Sequence, residues 1–236
     1  KCAAKRIISI EKLAYPKVGT SYTISGNEYK VSKPGAEVIL VKTSKTTKNV
    51  TVPAQIYVQG ITYKVTSIGV KAFNNNKNLT KVTIGTNIIK INSNAFFNCK
   101  NLKTVTFEAG ISEIISDLFR ETGINKIDLP SSVTKIGFAA FANSDLTTIN
   151  LPSSLSEIHD FAFAHTKLKE ITIPDSVEKI GYGAFDSVKT LDKVTLPANL
   201  KEISSKTFYK TNIANITIPE SVSSIGGIAF ADTPLK

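Results

Sequence analysis

The sequence predicts a stacked-repeat solenoid preceded by a small cap, and three observations carry that reading. First, a phenylalanine, usually behind a small residue, recurs at Phe73, Phe96, Phe119, Phe141, Phe163, Phe185, Phe208 and Phe230, at steps of 22 or 23 residues. Second, each Phe is preceded by a short alternation of apolar and polar residues, the pattern of a half-buried strand. Third, proline recurs at one fixed place between strand and Phe. A period in the twenties marks units that cannot bury their apolar side alone and must be covered by their neighbours.

In chain order, residues 1 to 20 read as linker or as the start of the cap. "SYTISGNEYKV" then reads as a hairpin around Gly26-Asn27 and "AEVILV" as a further strand. Residues 1–49 are therefore assigned to an N-terminal linker and a small β cap over the apolar edge of the first coil. Residues 50–236 form the solenoid, about eight repeats of 22–23 residues. Because Leu235 and Lys236 open a further unit, the array is expected to continue past residue 236.

With the residue 17 places before the ladder Phe as position 1, the full units run 79–101, 102–123, 124–145, 146–167, 168–190, 191–212 and 213–234. Positions 1, 4 and 6 are apolar throughout, as in Leu168, Ile171 and Ile173. Position 7 is Pro130, Pro152, Pro174, Pro197 and Pro219, with Pro53 in a degenerate first unit; proline lacks the N–H that an internal ladder needs, so it marks the strand end. Gly85 and Glu108 take its place in the first two full units. Positions 10 and 13, such as Val133 and Ile136, flank a polar pair and predict a second short strand or extended segment. The small residue at position 17 (Ala72, Ala95, Ala140, Ala162, Ala184, Ala229) allows a tight turn while the Phe points inward. Leu118 and Thr207 depart from it. The eight rings are expected to form one continuous buried stack, with each truncation to Ala costing about 3 to 5 kcal/mol.

Composition narrows the function classes. No apolar run approaches the roughly 20 residues that span a bilayer, so no direct membrane insertion is expected of this stretch. The chain has no Met and begins at Lys1, so a signal sequence and any anchor are expected to lie outside it. Cys2 and Cys99 match no metal, haem or redox spacing and read as unpaired thiols, Cys99 as a buried packing residue. Net charge is +10, but residues 1–49 hold ten Lys or Arg against three acids. The basicity belongs to the cap, and with Arg6 and Arg120 as the only arginines no nucleic-acid partner is indicated.

The repeat L-x-x-I-x-I-P-x-S-V-x-x-I-G-x-x-A-F stands almost unbroken in "LKEITIPDSVEKIGYGAF" and "IANITIPESVSSIGGIAF". It resembles the BspA-like, or treponemal-type, leucine-rich repeats over about residues 50–236. "NVTVPAQIYVQGITYKVTSIGVKAF" resembles the family's first unit with a Gly-centred hairpin inserted before Ile68 and Gly69. The resemblance implies a right-handed solenoid of the leucine-rich-repeat class. It would carry a parallel β-sheet on one face and short strands with 3-10 or helical turns on the other. It also implies an extracellular or cell-surface location and adhesion to host matrix proteins or other cells.

Positions 3 and 5 of the strand face away from the core and repeat along the sheet, so they form the candidate ligand face. These are Lys81 and Thr83, Thr104 and Thr106, Lys126 and Asp128, Thr148 and Asn150, Glu170 and Thr172, Lys193 and Thr195, and Asn215 and Thr217. With strands about 4.8 Å apart the strip is roughly 30 Å long, enough for an extracellular protein or glycan ligand. Threonine is also a good strand former and needs no ligand. His159, Asp160 and His165 lack a third well-spaced ligand for a metal, and no nucleophile elbow or phosphate loop is present. No cofactor and no enzymatic activity are therefore expected. Two readings remain: a surface adhesin acting through the repeat array, and a rigid spacer presenting another domain.

Overall fold

A computed structural model describes residues 15–236; the expected linker before Tyr15, with Cys2, lies outside the described residues. The cap begins with β1 (Ser21–Ile24) and β2 (Asn27–Lys33), an antiparallel hairpin. Its two-residue turn is Ser25-Gly26, both at positive φ (50° and 76°), one residue earlier than the sequence suggests. Two left-handed residues match the twist of the flanking strands, which is why Gly stands there. β3 (Glu37–Lys42) lies antiparallel on β2. Then follow β4 (Asn49–Val52) and a second hairpin of β5 (Gln55–Val58) and β6 (Ile61–Ile68), turning at Gln59-Gly60.

β3 also runs parallel to β6. The cap is thus an extension of the coil stack rather than a lid laid across it. Tyr29, Val31, Val38 and Leu40 continue the core into it, fully buried.

Each later coil contributes a front strand and a two-residue back strand. The front column after β4 is β7 (Lys81–Ile84), β9 (Thr104–Phe107), β11 (Lys126–Asp128), β13 (Thr148–Asn150), β15 (Glu170–Thr172) and β17 (Lys193–Thr195). The back column after β6 is β8 (Lys90–Ile91), β10 (Glu113–Ile114), β12 (Lys135–Ile136), β14 (Glu157–Ile158), β16 (Lys179–Ile180), β18 (Glu202–Ile203) and β19 (Ser224–Ile225). All pairs within both columns are parallel. Pairing in the front column is interrupted, giving β4-β7-β9, β11-β13 and β15-β17. Residues 215–217, predicted as the next front strand, run without strand pairing. Among the described residues only the preceding coil flanks them, so no second ladder holds them.

The far side departs from the expectation of 3-10 or helical turns: among the described residues it contains neither. The reason lies in the backbone. Positions 16 and 20 of every coil, from Lys71 and Asn75 to Ile228 and Asp232, sit at φ between 49° and 59°. Alternate amides then point in opposite directions. The N–H groups of Ala139, Phe141 and Asn143 donate to Asp160, Ala162 and Ala164 of the next coil at 3.0, 2.8 and 2.9 Å. Those of Ala140, Ala142 and Ser144 fold back to Gly137, Ala139 and Phe141 at 3.2, 3.1 and 3.1 Å. A helix would need all of them for its own carbonyls, whereas here half are committed to the neighbouring coil and every donor is satisfied.

On that scaffold the phenylalanine ladder is continuous. Successive ring centroids from Phe73 to Phe230 are 4.7, 5.5, 5.5, 5.5, 5.3, 5.4 and 5.4 Å apart, all stacked. Seven rings are fully buried; Phe230, covered from one side, is half-buried, a correction to the expected eight. Polar groups serve the same packing. The Oγ1 of Thr122, Thr166 and Thr211 donates to the Phe119, Phe163 and Phe208 carbonyls at 2.7, 2.8 and 2.9 Å. Cys99 takes the same place in its coil, its Sγ 3.2 Å from the Phe73 oxygen, and burial pushes the thiol up to about 11.

The motif's proline and serine have separate tasks. Pro130, Pro152 and Pro174 accept the turn bond from Val133, Leu155 and Val177 at 3.1, 3.0 and 2.9 Å, closing the bend after the strand. Ser132, Ser154 and Ser176 each donate to the preceding coil's Ile111, Val133 and Leu155 carbonyl at 2.7 to 2.8 Å. Gly137 is required by proximity, since a Cβ there would lie 2.7 Å from the Ser116 nitrogen of the coil before.

Candidate interaction surfaces

The front strands place positions 3 and 5 outward because position 4 is held in the core by Val82, Val105, Ile127, Ile149, Ile171 and Val194. Within each paired set the outward positions stand opposite one another: Lys81 and Thr83 oppose Thr104 and Thr106. Lys126 and Asp128 oppose Thr148 and Asn150, and Glu170 and Thr172 oppose Lys193 and Thr195. All of these are exposed except Thr83, which is half-buried. Asn215 and Thr217 are exposed too, but off the paired sheet.

The strip extends one strand further than the sequence reading placed it. Asn49 and Thr51 on β4 stand opposite Lys81 and Thr83, and the alternation in "NVTV" was the available signal. Where pairing lapses the face opens. A cleft of about 380 Å³ lies between β9 and β11, with Thr104, Thr106, Lys126 and Asp128 at its rim. A second, of about 400 Å³, lies between β13 and β15 beside Asn150 and Glu170. Two ion pairs lie on the strip, Lys126–Asp128 along β11 at 3.9 Å and Lys193–Glu170 between β17 and β15 at 3.7 Å. Both are exposed and add little stability.

The back column carries a charge pattern that the sequence reading missed. Position 12 alternates Lys90, Glu113, Lys135, Glu157, Lys179, Glu202. The clearest contact is Lys135 to Glu157 at 3.0 Å, and the other Glu157 oxygen accepts from or pairs with His159 Nε2 at 3.0 Å. The Lys135 hydrogen bond holds the Glu157 carboxyl below the usual carboxylate range and raises the Lys135 ammonium. Likewise Asp145, bonded to Lys167 at 2.7 Å and Lys103 at 3.2 Å, is held low, chiefly by Lys167. His165 lies exposed on a left-handed turn residue. Among the described residues no group of three potential metal ligands gathers, and no helix is long and apolar enough to cross a membrane.

Beside that column stands an aromatic row, its outer rings exposed and its central ring half-buried. Phe138 and Phe161 meet edge to face at 6.0 Å, and Phe161 and Tyr182 at 5.2 Å. Phe138 is 45% and Tyr182 36% exposed. These rings alternate between positions 15 and 16, so a search at one fixed position cannot find them.

Comparison with known proteins agrees with this geometry. Two overlapping spans, residues 54–161 and 112–236, match the model of the BspA type leucine rich repeat region, with six copies. No curated protein matches the chain. Among solved structures, a leucine rich cell surface protein from Faecalibacterium prausnitzii superposes with TM-score 0.61 at 24% identity, covering 89% of this chain and 73% of that one. The pneumococcal vaccine antigen PcpA superposes with TM-score 0.67 at 24% identity, covering 92% of this chain and 69% of that one. A leucine-rich repeat protein from Bacteroides ovatus gives TM-score 0.63 at 25% identity over 91% of this chain, which spans 57% of that protein's length. With the repeat in register over both columns and the family model matched from residue 54 to residue 236, the chain belongs to the BspA-type leucine-rich-repeat family.

Proposed function

We propose that this chain is a protein-interaction module displayed at a bacterial cell surface, an adhesin whose front strand face binds host matrix proteins or the surface of other cells. The observation that carries the reading is the polar strip from Asn49 to Thr195, carried outward on three paired sets of parallel front strands. A rigid face makes contacts with little ordering cost. Similarity to a cell surface protein and to a vaccine antigen supports the location.

The strip has no aromatic or arginine side chain to serve as an anchor of binding energy, so each contact is weak and salt-sensitive. Useful adhesion then comes from many copies on one surface. The test is solid-phase binding of the parent to matrix proteins and glycans across a salt series, repeated with Lys81, Lys126 and Lys193 all changed to Glu. The triple variant is expected to melt as the parent does and to lose an acidic partner. Equal binding by parent and triple variant would remove the strand face as the site.

A further inference from the structure

We propose that the aromatic row Phe138–Phe161–Tyr182, with the charged row beside it, is a second binding site that takes a neutral, extended pyranose glycan of glucan or chitin type, lying along the solenoid axis. The rings come from three successive coils and run at one ring per coil, edge to face. Each ring packs on the next, Asp160 Oδ1 accepts the Tyr182 backbone N–H at 2.9 Å, and the Phe161 ring lies against Gly183, where a Cβ would come within 2.8 Å of it. Lys206 stands 5.7 Å from the Tyr182 centroid and closes the row at that end. Packed rings bind at low ordering cost.

Parallel to the rings runs the position-12 row, where Lys135, Glu157 and His159 form one hydrogen-bonded chain. A cleft of about 270 Å³ joins the two rows, with Phe138, Glu113, Lys135 and His159 among its walls. A pyranose ring presents an apolar C–H face and a hydroxyl edge, and this site offers a ring for the face and carboxylate, ammonium and imidazole groups for the edge. Such a pairing of apolar wall with a few convergent polar groups is the usual composition of a small-ligand site.

Shape and charge select the ligand class. The row is three rings long and one ring wide and is flanked by charged side chains, whereas a specific protein interface buries roughly 1,000 Å² or more. A linear polymer fits it better than a globular partner. Glu113, Glu157 and Asp160 balance Lys135, Lys179 and Lys206, so the track gives a polyanion no net attraction.

The test titrates the parent protein with cellohexaose and with chitohexaose, followed by aromatic NMR resonances and saturation transfer, with heparin as the anionic comparator. At least one neutral hexasaccharide is expected to bind at millimolar concentration and to shift the Phe138 and Tyr182 ring signals. Phe138→Ala with Tyr182→Ala should weaken that binding about tenfold or more, and Glu157→Gln should weaken it less, both without loss of fold by circular dichroism. The strand-face triple variant should bind the hexasaccharide as the parent does, which separates this site from the strand face. Failure of both neutral hexasaccharides to bind, binding of heparin alone, or ring signals that stay fixed while a glycan binds would each overturn the proposal. The ring shifts in the parent decide the matter even if the double variant misfolds.

Discussion

The front strand column and the far turn column of this solenoid repeat at the same period but are built to different standards. Turn-side stacking is unbroken: from Phe73 to Phe230 each ring stacks on the next, and the amide of every ladder Phe from Phe73 to Phe208 bonds to the following coil. Front-side pairing lapses between β9 and β11 and between β13 and β15, and does not reach residues 215–217. The difference teaches that the array is held by its turns, which frees the strand face to vary in side chain and spacing. Substitutions should therefore act strongly on one column and weakly on the other.

The largest expected effect is on the ladder. Phe163→Ala removes a fully buried ring with neighbours at 5.5 and 5.3 Å and should cost about 3 to 5 kcal/mol. Phe230→Ala, half-buried with one stacked neighbour, should cost roughly 1 to 2 kcal/mol. Thr172→Ala on the strand face should stay within about 0.5 kcal/mol. Denaturant midpoints for the three variants check the order, and equal losses would break the comparison.

A smaller effect runs the other way. Ile228 is β-branched, 53% exposed and held at φ 53°, a conformation that costs a non-glycine residue about 1 to 2 kcal/mol. Ile228→Gly should raise stability by about 1 kcal/mol, since the flexibility gained by the unfolded chain offsets part of the relief. Thermal melting reads it; a lower midpoint would show that the turn is not strained at that residue.

The smallest concerns pH. The Asp145 carboxyl is held below its unfolded value by Lys167 and Lys103, so the stability it contributes is present above about pH 4. That contribution is lost as pH falls through the lower folded value. Partial exposure keeps it within about 1 kcal/mol. Asp145→Asn should flatten this acid-side slope while leaving the ladder intact, as urea midpoints between acid and neutral pH would show.

Much of the fold was legible in the sequence because burial repeats at fixed positions. The Phe ladder, the strand alternation, the proline stops and the first hairpin, one residue out of place, follow from residue type, and the second hairpin from the resemblance to the family's first unit. The turn backbone was not, because left-handed φ falls on Lys71, Phe161, His165, Lys206 and Ile228 as readily as on Gly183. No shared side chain marks those positions, and they recur at the same two places in every coil. The motif serine was visible, but its bond to the preceding coil needs the stack before it has a partner.

The candidate surfaces were legible to a lesser degree. Alternation placed Lys81 to Thr195 on one face, yet the breaks in pairing that open its clefts have no signature in the strands beside them. The Lys and Glu alternation at position 12 lay in plain view, one residue per coil. The aromatic row slides between two positions and becomes a row only when the coils are stacked.

Hydrogen exchange on individual amides tests most directly whether the turns hold the array and the strand face is left free for contact. The amides of Phe119, Phe141, Phe163 and Phe185, each bonded to the next coil at 2.8 to 2.9 Å, are expected to exchange only through global unfolding. The amides of β11 and β15 that face the two gaps should exchange faster by local opening. Front-strand protection equal to that of the ladder amides, or ladder amides that exchange first, would contradict the account.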